Sequence, residues 1–249
     1  MKKLGLIGYP LGHSFSKKYY TEKFAKEHIK DIDYDLYPIV DIGNFPDLFA
    51  NDSSFYGFNV TIPYKQSVVS FLNELSEEAQ EMDAVNCITI KYNDGTVHLK
   101  GYNTDAYGFE NSIRPLLALH HTRALVLGNG GAAKAVFYSL KKLGISYKIV
   151  SRSHTNGDIT YSELNKEIMD SHPIIINCSP LGTFPNIDEA PDIPYEFIGK
   201  QHLLYDLIYN PEETLFLRRG KENGAMIKNG YEMLLLQAER NWEIWNAKD

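Results

Sequence analysis

Short apolar runs alternate with amphipathic stretches along most of the chain, and their two periods predict different elements. Lys3–Ile7, Tyr34–Val40 and Tyr56–Thr61 read as strands. Ala84–Tyr92 alternates through Val85, Cys87, Ile88 and Ile90, and Thr96–Gly101 returns. Asn93-Asp94-Gly95 between them is a hairpin signal. With Asp94-Gly95 at the tip, Asn93 faces Thr96, and counting outward brings Asn86 opposite about Asn103. Farther on, Ala124–Leu127, Tyr147–Val150, Ile174–Asn177 and His202–Leu207 are apolar enough for buried parallel strands, and Ala225–Lys228 for a short last one.

Helical periods fall between them. They cover Lys17–His28, a segment through Leu72 with Pro63 at its first position, and Ala106–Leu119. After Ala133 the spacing of Val136, Phe137, Leu140 and Leu143 gives one apolar side. A short helix is expected near Asp47–Phe49, a short strand and helix within Ile159–Met169, and a helix over Thr214–Asn223. The last, Tyr231–Asn246, carries a core stripe of Leu234, Ala238, Trp242 and Trp245.

The 249 residues suffice for one large or two modest domains. A net charge of −7 argues against nucleic acid or an anionic membrane as partner, so an anionic ligand must be held by local cations and amides. The start, MKKLGLIGYPLGH, lacks the sustained apolar region of a signal peptide, and no run reaches membrane-spanning length. Cys87 and Cys178 form no C-x-x-C and no histidine cluster joins them. They read as buried thiols of a cytoplasmic protein without a metal site.

The densest chemical signal is Gly128-Asn-Gly-Gly-Ala-Ala133, lying between a strand and a helix. In a G-x-G-x-x-A turn Gly128 permits the bend, Gly130 admits a pyrophosphate, and Ala133 keeps helix and strand close. Amides and the helix dipole attract the phosphates there. Tyr147–Val150 ends in Ser151-Arg152-Ser153, with no acid before Asp158. A cation in that place suits the extra phosphate of NADP, whereas NAD sites place an acid there. Ser14 and Ser16 follow the first strand; Ser16 is either a helix N-cap or, with Ser14, a grip on a carboxylate or polyol. Lys65 falls in a helical first turn, where acids are preferred. It is a tolerated surface lysine, or one whose pKa is lowered for proton transfer. Asp105 reads as an N-cap that can also orient such a lysine, and Gln237 as a solvated or a ligand-facing amide.

Assembled, these motifs resemble the shikimate dehydrogenase family. Gly8-Tyr-Pro-Leu-Gly-His-Ser-Phe-Ser16 is similar to its substrate-holding serine segment, and Gly57-Phe-Asn-Val-Thr-Ile-Pro-Tyr-Lys65 matches its most distinctive stretch. Ala84-Val-Asn86, Gly101-Tyr-Asn-Thr-Asp105, the glycine turn, Asn177-Cys-Ser-Pro-Leu-Gly182, Asp206-Leu-Ile-Tyr-Asn-Pro211 and Gly230-Tyr-Glu-Met-Leu-Leu-Leu-Gln237 complete the order. The resemblance implies an α/β fold of two domains. Residues 1–105 would form a substrate domain, rejoined by the C-terminal helix 231–249, and residues 106–230 a Rossmann-like NADP domain, with ligands in the cleft between. It implies Lys65 and Asp105 as catalytic residues, and Ser14, Ser16, Thr61, Asn86, Tyr209 and Gln237 as further substrate contacts. Gly128, Asn129, Gly130, Gly131, Ala132, Ser151, Arg152, Ser153, Leu207 and Gly230 would bind NADP, with Glu77 approaching the nicotinamide. The chain departs from the family pattern at Lys17, Tyr20-Thr21, Asp83, Cys87 and Ser151, and His154–Tyr161 is too short for the helix that commonly follows the arginine.

The expected reaction is reversible reduction of 3-dehydroshikimate to shikimate with NADPH, by a monomer or homodimer. Lys65 would donate the proton and Asp105 orient it. Two rivals stand beside it: a quinate/shikimate dehydrogenase using NAD, and a nucleotide-sensing regulator without turnover.

Overall fold

The apolar runs become two six-stranded sheets in a computed structural model that describes residues 1–12, 14–93 and 95–247. They belong to two compact units: Met1–Thr104 together with the stretch from Ala238, and Asp105–Gln237. His13 of the serine segment and Asp94 of the expected hairpin tip lie outside the described residues.

The first unit contains β1 (Lys2–Gly8), α1 (Phe15–Lys26), β2 (Ile32–Pro38), β3 (Phe55–Val60), β4 (Glu74–Leu75), α2 (Glu77–Met82), β5 (Cys87–Asn93) and β6 (Thr96–Tyr102). The strands lie in the order β2-β1-β3-β5-β6-β4. β1 pairs in parallel with β2 and β3, whereas β5 runs antiparallel to both β3 and β6. Alternate residues serve opposite faces, as a period of two requires. Ile7, Phe58 and Ile88 join one core with Phe45 and Val68; Leu4 and Leu6 join another with Tyr20, Tyr34, Ala238 and Trp245. Trp245 donates its indole N–H to the Ile88 carbonyl at 3.0 Å. A Cβ on Gly57 would stand 2.2 Å from that nitrogen, so β3 needs a glycine under the indole. The hairpin register is the one counted from the sequence, with Asn93 opposite Thr96 and Cys87 opposite Tyr102.

Two local expectations fail in this unit. No α-helix runs from Ile62 to Leu72: the Ile62–Pro63 peptide is cis, turns follow, and a 3-10 helix covers Ser67–Phe71. Ile62 is 74% exposed and only Tyr64 and Val68 are buried, too narrow a stripe to seat a longer helix. In addition, α1 is capped by Ser14, whose Oγ accepts the Lys17 N–H at 3.4 Å, so Ser16 lies within the first turn. Asp83 ends α2 in the left-handed region (φ 47°, ψ 48°), the conformation in which glycine is usual.

The second unit contains α3 (Asp105–Ile113), β7 (Arg123–Leu127), α4 (Gly131–Lys142), β8 (Ser146–Ser151), β9 (Ile159–Thr160), α5 (Lys166–Ser171), β10 (Ile174–Asn177), β11 (Leu203–Asp206), α6 (Leu215–Glu222), β12 (Met226–Lys228) and α7 (Tyr231–Trp245). All pairings are parallel, in the order β12-β11-β10-β7-β8-β9. That is the doubly wound order, and it puts the strand-order reversal at the carboxyl ends of β7 and β10. Both faces are covered: Leu125, Leu127, Ile175 and Leu204 point to one core, Val126, Ile174, Ile176 and Tyr205 to the other. α3 stops at Ile113 rather than Leu119, because Pro115 lacks an N–H and the chain tightens to a 3-10 turn. Ser139 Oγ donates to the Ala106 carbonyl at 3.1 Å and ties α4 to α3. α7 is shared: its residues through Gln237 count with this unit, and those from Ala238 with the first. Among the described residues, no helix is long and apolar enough to cross a membrane.

Candidate functional site

In the first unit, β1, β3 and β6 end, and β5 begins, at one edge of the sheet. The segments leaving that edge carry Ser14, Ser16, Thr61, Lys65 and Asn86, so topology alone gathers them. Buried hydrogen bonds fix them further. Thr61 N–H donates to the Ile7 carbonyl at 2.9 Å, and Val85 N–H to the Lys65 carbonyl at 2.7 Å. The next residue, Asn86, is 3% exposed; its Oδ1 accepts the Thr104 N–H at 2.7 Å and its Nδ2 donates to Thr104 Oγ1 at 3.0 Å. Thr104 Oγ1 in turn donates to Asn241 Oδ1 at 2.6 Å. On the other side, Asn59 Nδ2 donates to the Asn86 carbonyl at 3.2 Å and its Oδ1 accepts from the Tyr34 hydroxyl at 2.8 Å, beside which lies Ser16. Lys65 is half-buried in a turn, so the helix-dipole argument for it has no basis in this structure.

The second unit builds a different kind of site. Gly128 has φ +105°, a conformation that demands glycine, and its N–H donates to the Val150 carbonyl at 2.9 Å. Gly130 is the N-cap of α4 and Gly131 its first residue; a Cβ on either would meet nothing within 4 Å. Ala133 is fully buried under the turn. A cavity of about 910 Å³ opens here, lined by Gly128, Asn129, Gly130, Ser151, Arg152, Ser153, Asn156, Tyr161 and Cys178–Leu181. No acidic side chain lines it, and Arg152 is exposed with no ion-pair partner among the described residues. Amides at a helix start, room above bare glycines and an unopposed guanidinium are what a phosphorylated dinucleotide needs, so the residues present fit NADP.

Of the residues expected to bind cofactor, Gly131, Ala132, Leu207 and Gly230 do not line this cavity. Gly230 instead permits a close approach: a Cβ there would lie 2.1 Å from the Leu207 carbonyl oxygen. Asn156, Tyr161 and Cys178–Leu181 do line it. The Cys178 loop was visible as a carboxyl-edge loop, but only strand pairing brings in Asn156 and Tyr161. Asn129 Nδ2 donates to the Asn156 carbonyl at 3.1 Å.

Behind the loop lies a carboxylate with no exposed surface. Asp206 accepts from Thr214 Oγ1 at 2.6 Å, and from Ile208 N–H and Asn177 Nδ2 at 3.1 Å each. Burial nevertheless pushes its carboxyl up to about 6. Asn177 Oδ1 accepts from both the N–H and Oγ of Ser179, so this buried set shapes the loop.

Of the remaining expected residues, Asp105 is the first residue of α3 rather than the N-cap before it, and is half-buried. Tyr209 is 39% exposed, with burial raising its phenol. Gln237 is buried on α7, and its Nε2 donates to the Leu234 carbonyl at 3.0 Å. Glu77 opens α2. Among the described residues, no three His, Cys, Asp or Glu side chains are grouped to hold a metal ion.

A doubly wound parallel sheet with a glycine turn, a helix start and an arginine just past the end of its second strand defines a dinucleotide-binding α/β protein, here carrying a second, mixed sheet. A family model for the shikimate dehydrogenase substrate binding domain matches residues 6–88. The chain is 38% identical over 258 residues to a shikimate dehydrogenase (NADP(+)) of Clostridium beijerinckii, covering 98% of this chain and 92% of the relative. Among solved structures, a chorismate mutase/shikimate 5-dehydrogenase fusion protein from Clostridium acetobutylicum is 34% identical with TM-score 0.85, over 98% of this chain and 91% of that one. A shikimate 5-dehydrogenase from Thermus thermophilus in complex with NADP(H) and shikimate is 26% identical with TM-score 0.84, over 99% and 94%. The chain belongs to the shikimate dehydrogenase family.

Proposed function

We infer that the protein catalyses the reversible, NADP-dependent interconversion of 3-dehydroshikimate and shikimate. The observation that carries this reading is the tie between two motifs at the edge of the first sheet. Lys65 is bonded through its carbonyl to Val85, and the adjacent Asn86 holds the residue immediately before Asp105. The family match extends across both motifs and across the glycine turn.

In this reading residues 1–105 with helix 231–249 form the substrate domain, and residues 106–230 bind the cofactor. NADP is held by Gly128, Asn129, Gly130, Ser151, Arg152 and Ser153, which line the cavity, with Gly131, Ala132, Leu207 and Gly230 assigned to it by the family resemblance alone. When bound it supplies or accepts the hydride. The chain's own residues manage charge and protons. Ser14 and Ser16 hold the substrate carboxylate; Thr61, Asn86, Tyr209 and Gln237 hold its hydroxyls. As negative charge grows on the ketone oxygen, Lys65 donates a proton to it, and Asp105 orients the ammonium and the adjoining hydroxyl. In the reverse direction Lys65 takes the proton back. Arg152 favours NADP over NAD by meeting the 2′-phosphate.

The test is to mix the protein with shikimate and NADP, then with NAD, and follow the absorbance of reduced nicotinamide. Faster reduction of NADP is expected. Faster reduction of NAD would instead indicate the quinate/shikimate type, and silence with both despite measurable NADP binding would indicate a nucleotide sensor.

A further inference from the structure

The segment after Arg152 is short, and its folding carries an aromatic ring to the edge of the cavity. His154–Asn156 is a single 3-10 turn, and Asn129 holds the Asn156 carbonyl. Gly157 then passes so close to β8 that a Cβ would lie 2.8 Å from Ser151 Oγ and 2.9 Å from the Ile149 carbonyl. Asp158 bonds Ile149 twice, N–H to carbonyl and Oδ2 to N–H, at 2.9 and 2.8 Å. The chain is thereby forced into β9, in register Val150 opposite Ile159 and Ser151 opposite Thr160. One residue further, Tyr161 emerges at the carboxyl edge beside Arg152.

Tyr161 packs against the core containing Val150, Ile159 and Leu164 and also lines the cavity. In this strand order, a dinucleotide with its pyrophosphate on the turn after β7 sends its adenosine toward β8 and β9. We propose that Tyr161, held against the core on one side and lining the cavity on the other, is the platform on which the adenine ring stacks. The proposal rests on the NADP reading above. Arg152 holds the phosphate, and Tyr161 the flat base. A base on an aromatic face contributes enough that losing the ring weakens binding roughly five- to a hundredfold.

The experiment is calorimetric titration of wild type, Tyr161→Phe and Tyr161→Leu with adenosine 2′,5′-bisphosphate and, separately, with nicotinamide mononucleotide. Expected is a fall within that range for the bisphosphate in Tyr161→Leu, near wild-type binding in Tyr161→Phe, and unchanged binding of the mononucleotide in all three. Full affinity in Tyr161→Leu would overturn the proposal. So would equal losses for both probes, which would make the ring a structural support only, or a Tyr161→Phe as weak as Tyr161→Leu, which would assign the effect to the hydroxyl. Wild type that fails to bind the bisphosphate would overturn the NADP reading itself, an outcome distinct from the other three.

Discussion

The two ligand-facing edges are built on opposite plans. In the first unit the polar residues are knitted side chain to side chain: Tyr34 to Asn59, Asn59 to Asn86, Asn86 to Thr104, Thr104 to Asn241. In the second, the glycine turn offers bare backbone, an open cavity and an exposed arginine. The difference follows from the ligands each is proposed to meet. A small polyol has hydroxyls at fixed positions, so recognition requires several side chains held in place beforehand. A pyrophosphate is recognised by amides and charge, which tolerate changes in the side chains around them.

The sharpest way to break this contrast is Lys65→Ala. Turnover should fall by roughly two to four orders of magnitude while NADP affinity measured by calorimetry stays the same. A parallel loss of NADP binding would mean the two edges do not divide the work. Next comes Asp206, the buried polar exception in the open edge. Its carboxyl is raised from 3.8 to about 6, so the folded state binds the proton more tightly than the unfolded chain. The stability it contributes is complete below the unfolded pKa and is lost as pH rises through the folded one. The loss is roughly 3 kcal/mol. Urea unfolding between pH 4 and pH 8 should show that decline in wild type and a flatter profile in Asp206→Asn.

Arg152→Ala should weaken NADP roughly ten- to a hundredfold, because a charge-assisted bond is worth about 1.5–3 kcal/mol, and leave NAD nearly unaffected. Equal effects on both nucleotides would remove the arginine from the choice between them. Asn86→Ala leaves the buried Thr104 N–H without its acceptor and should cost about 1–3 kcal/mol in urea unfolding. A neutral result there would deny that the woven edge is rigid by design. The smallest change is Asp83→Gly. A left-handed L-residue carries a penalty of roughly 1–2 kcal/mol, so this variant should unfold at slightly higher urea.

Much of this was legible in the chain itself. Alternating and fully apolar runs located the strands, and the hairpin count put Asn86 beside Asn103 and Thr104 because a two-residue period leaves no freedom once the tip is set. Gly128 was legible because its backbone conformation requires glycine, and Gly130 because a bare backbone there leaves room for a pyrophosphate. The segment at Pro63 was misread as a helix start because proline at N1 and a following apolar residue look the same whether or not a stripe exists to bury. Tyr161 was invisible as a site residue. Its place depends on β9 pairing with β8, a contact between segments with no local signature. The bonds from Asn86 to Thr104 likewise come from register rather than from its neighbours in sequence.

Trp245 seated over Gly57 has a consequence for how the protein is made. One apolar side of the N-terminal sheet is covered in two instalments: α1 supplies Tyr20 and Phe24 early, whereas Ala238 and Trp245 are translated only after the whole nucleotide-binding unit. The nucleotide-binding unit, Asp105–Gln237, is continuous in sequence, so its sheet can assemble before that side is closed. Nascent chains should therefore present a half-clad first lobe while residues 105–237 are translated, and chaperone engagement should fall once the segment bearing Trp245 has emerged.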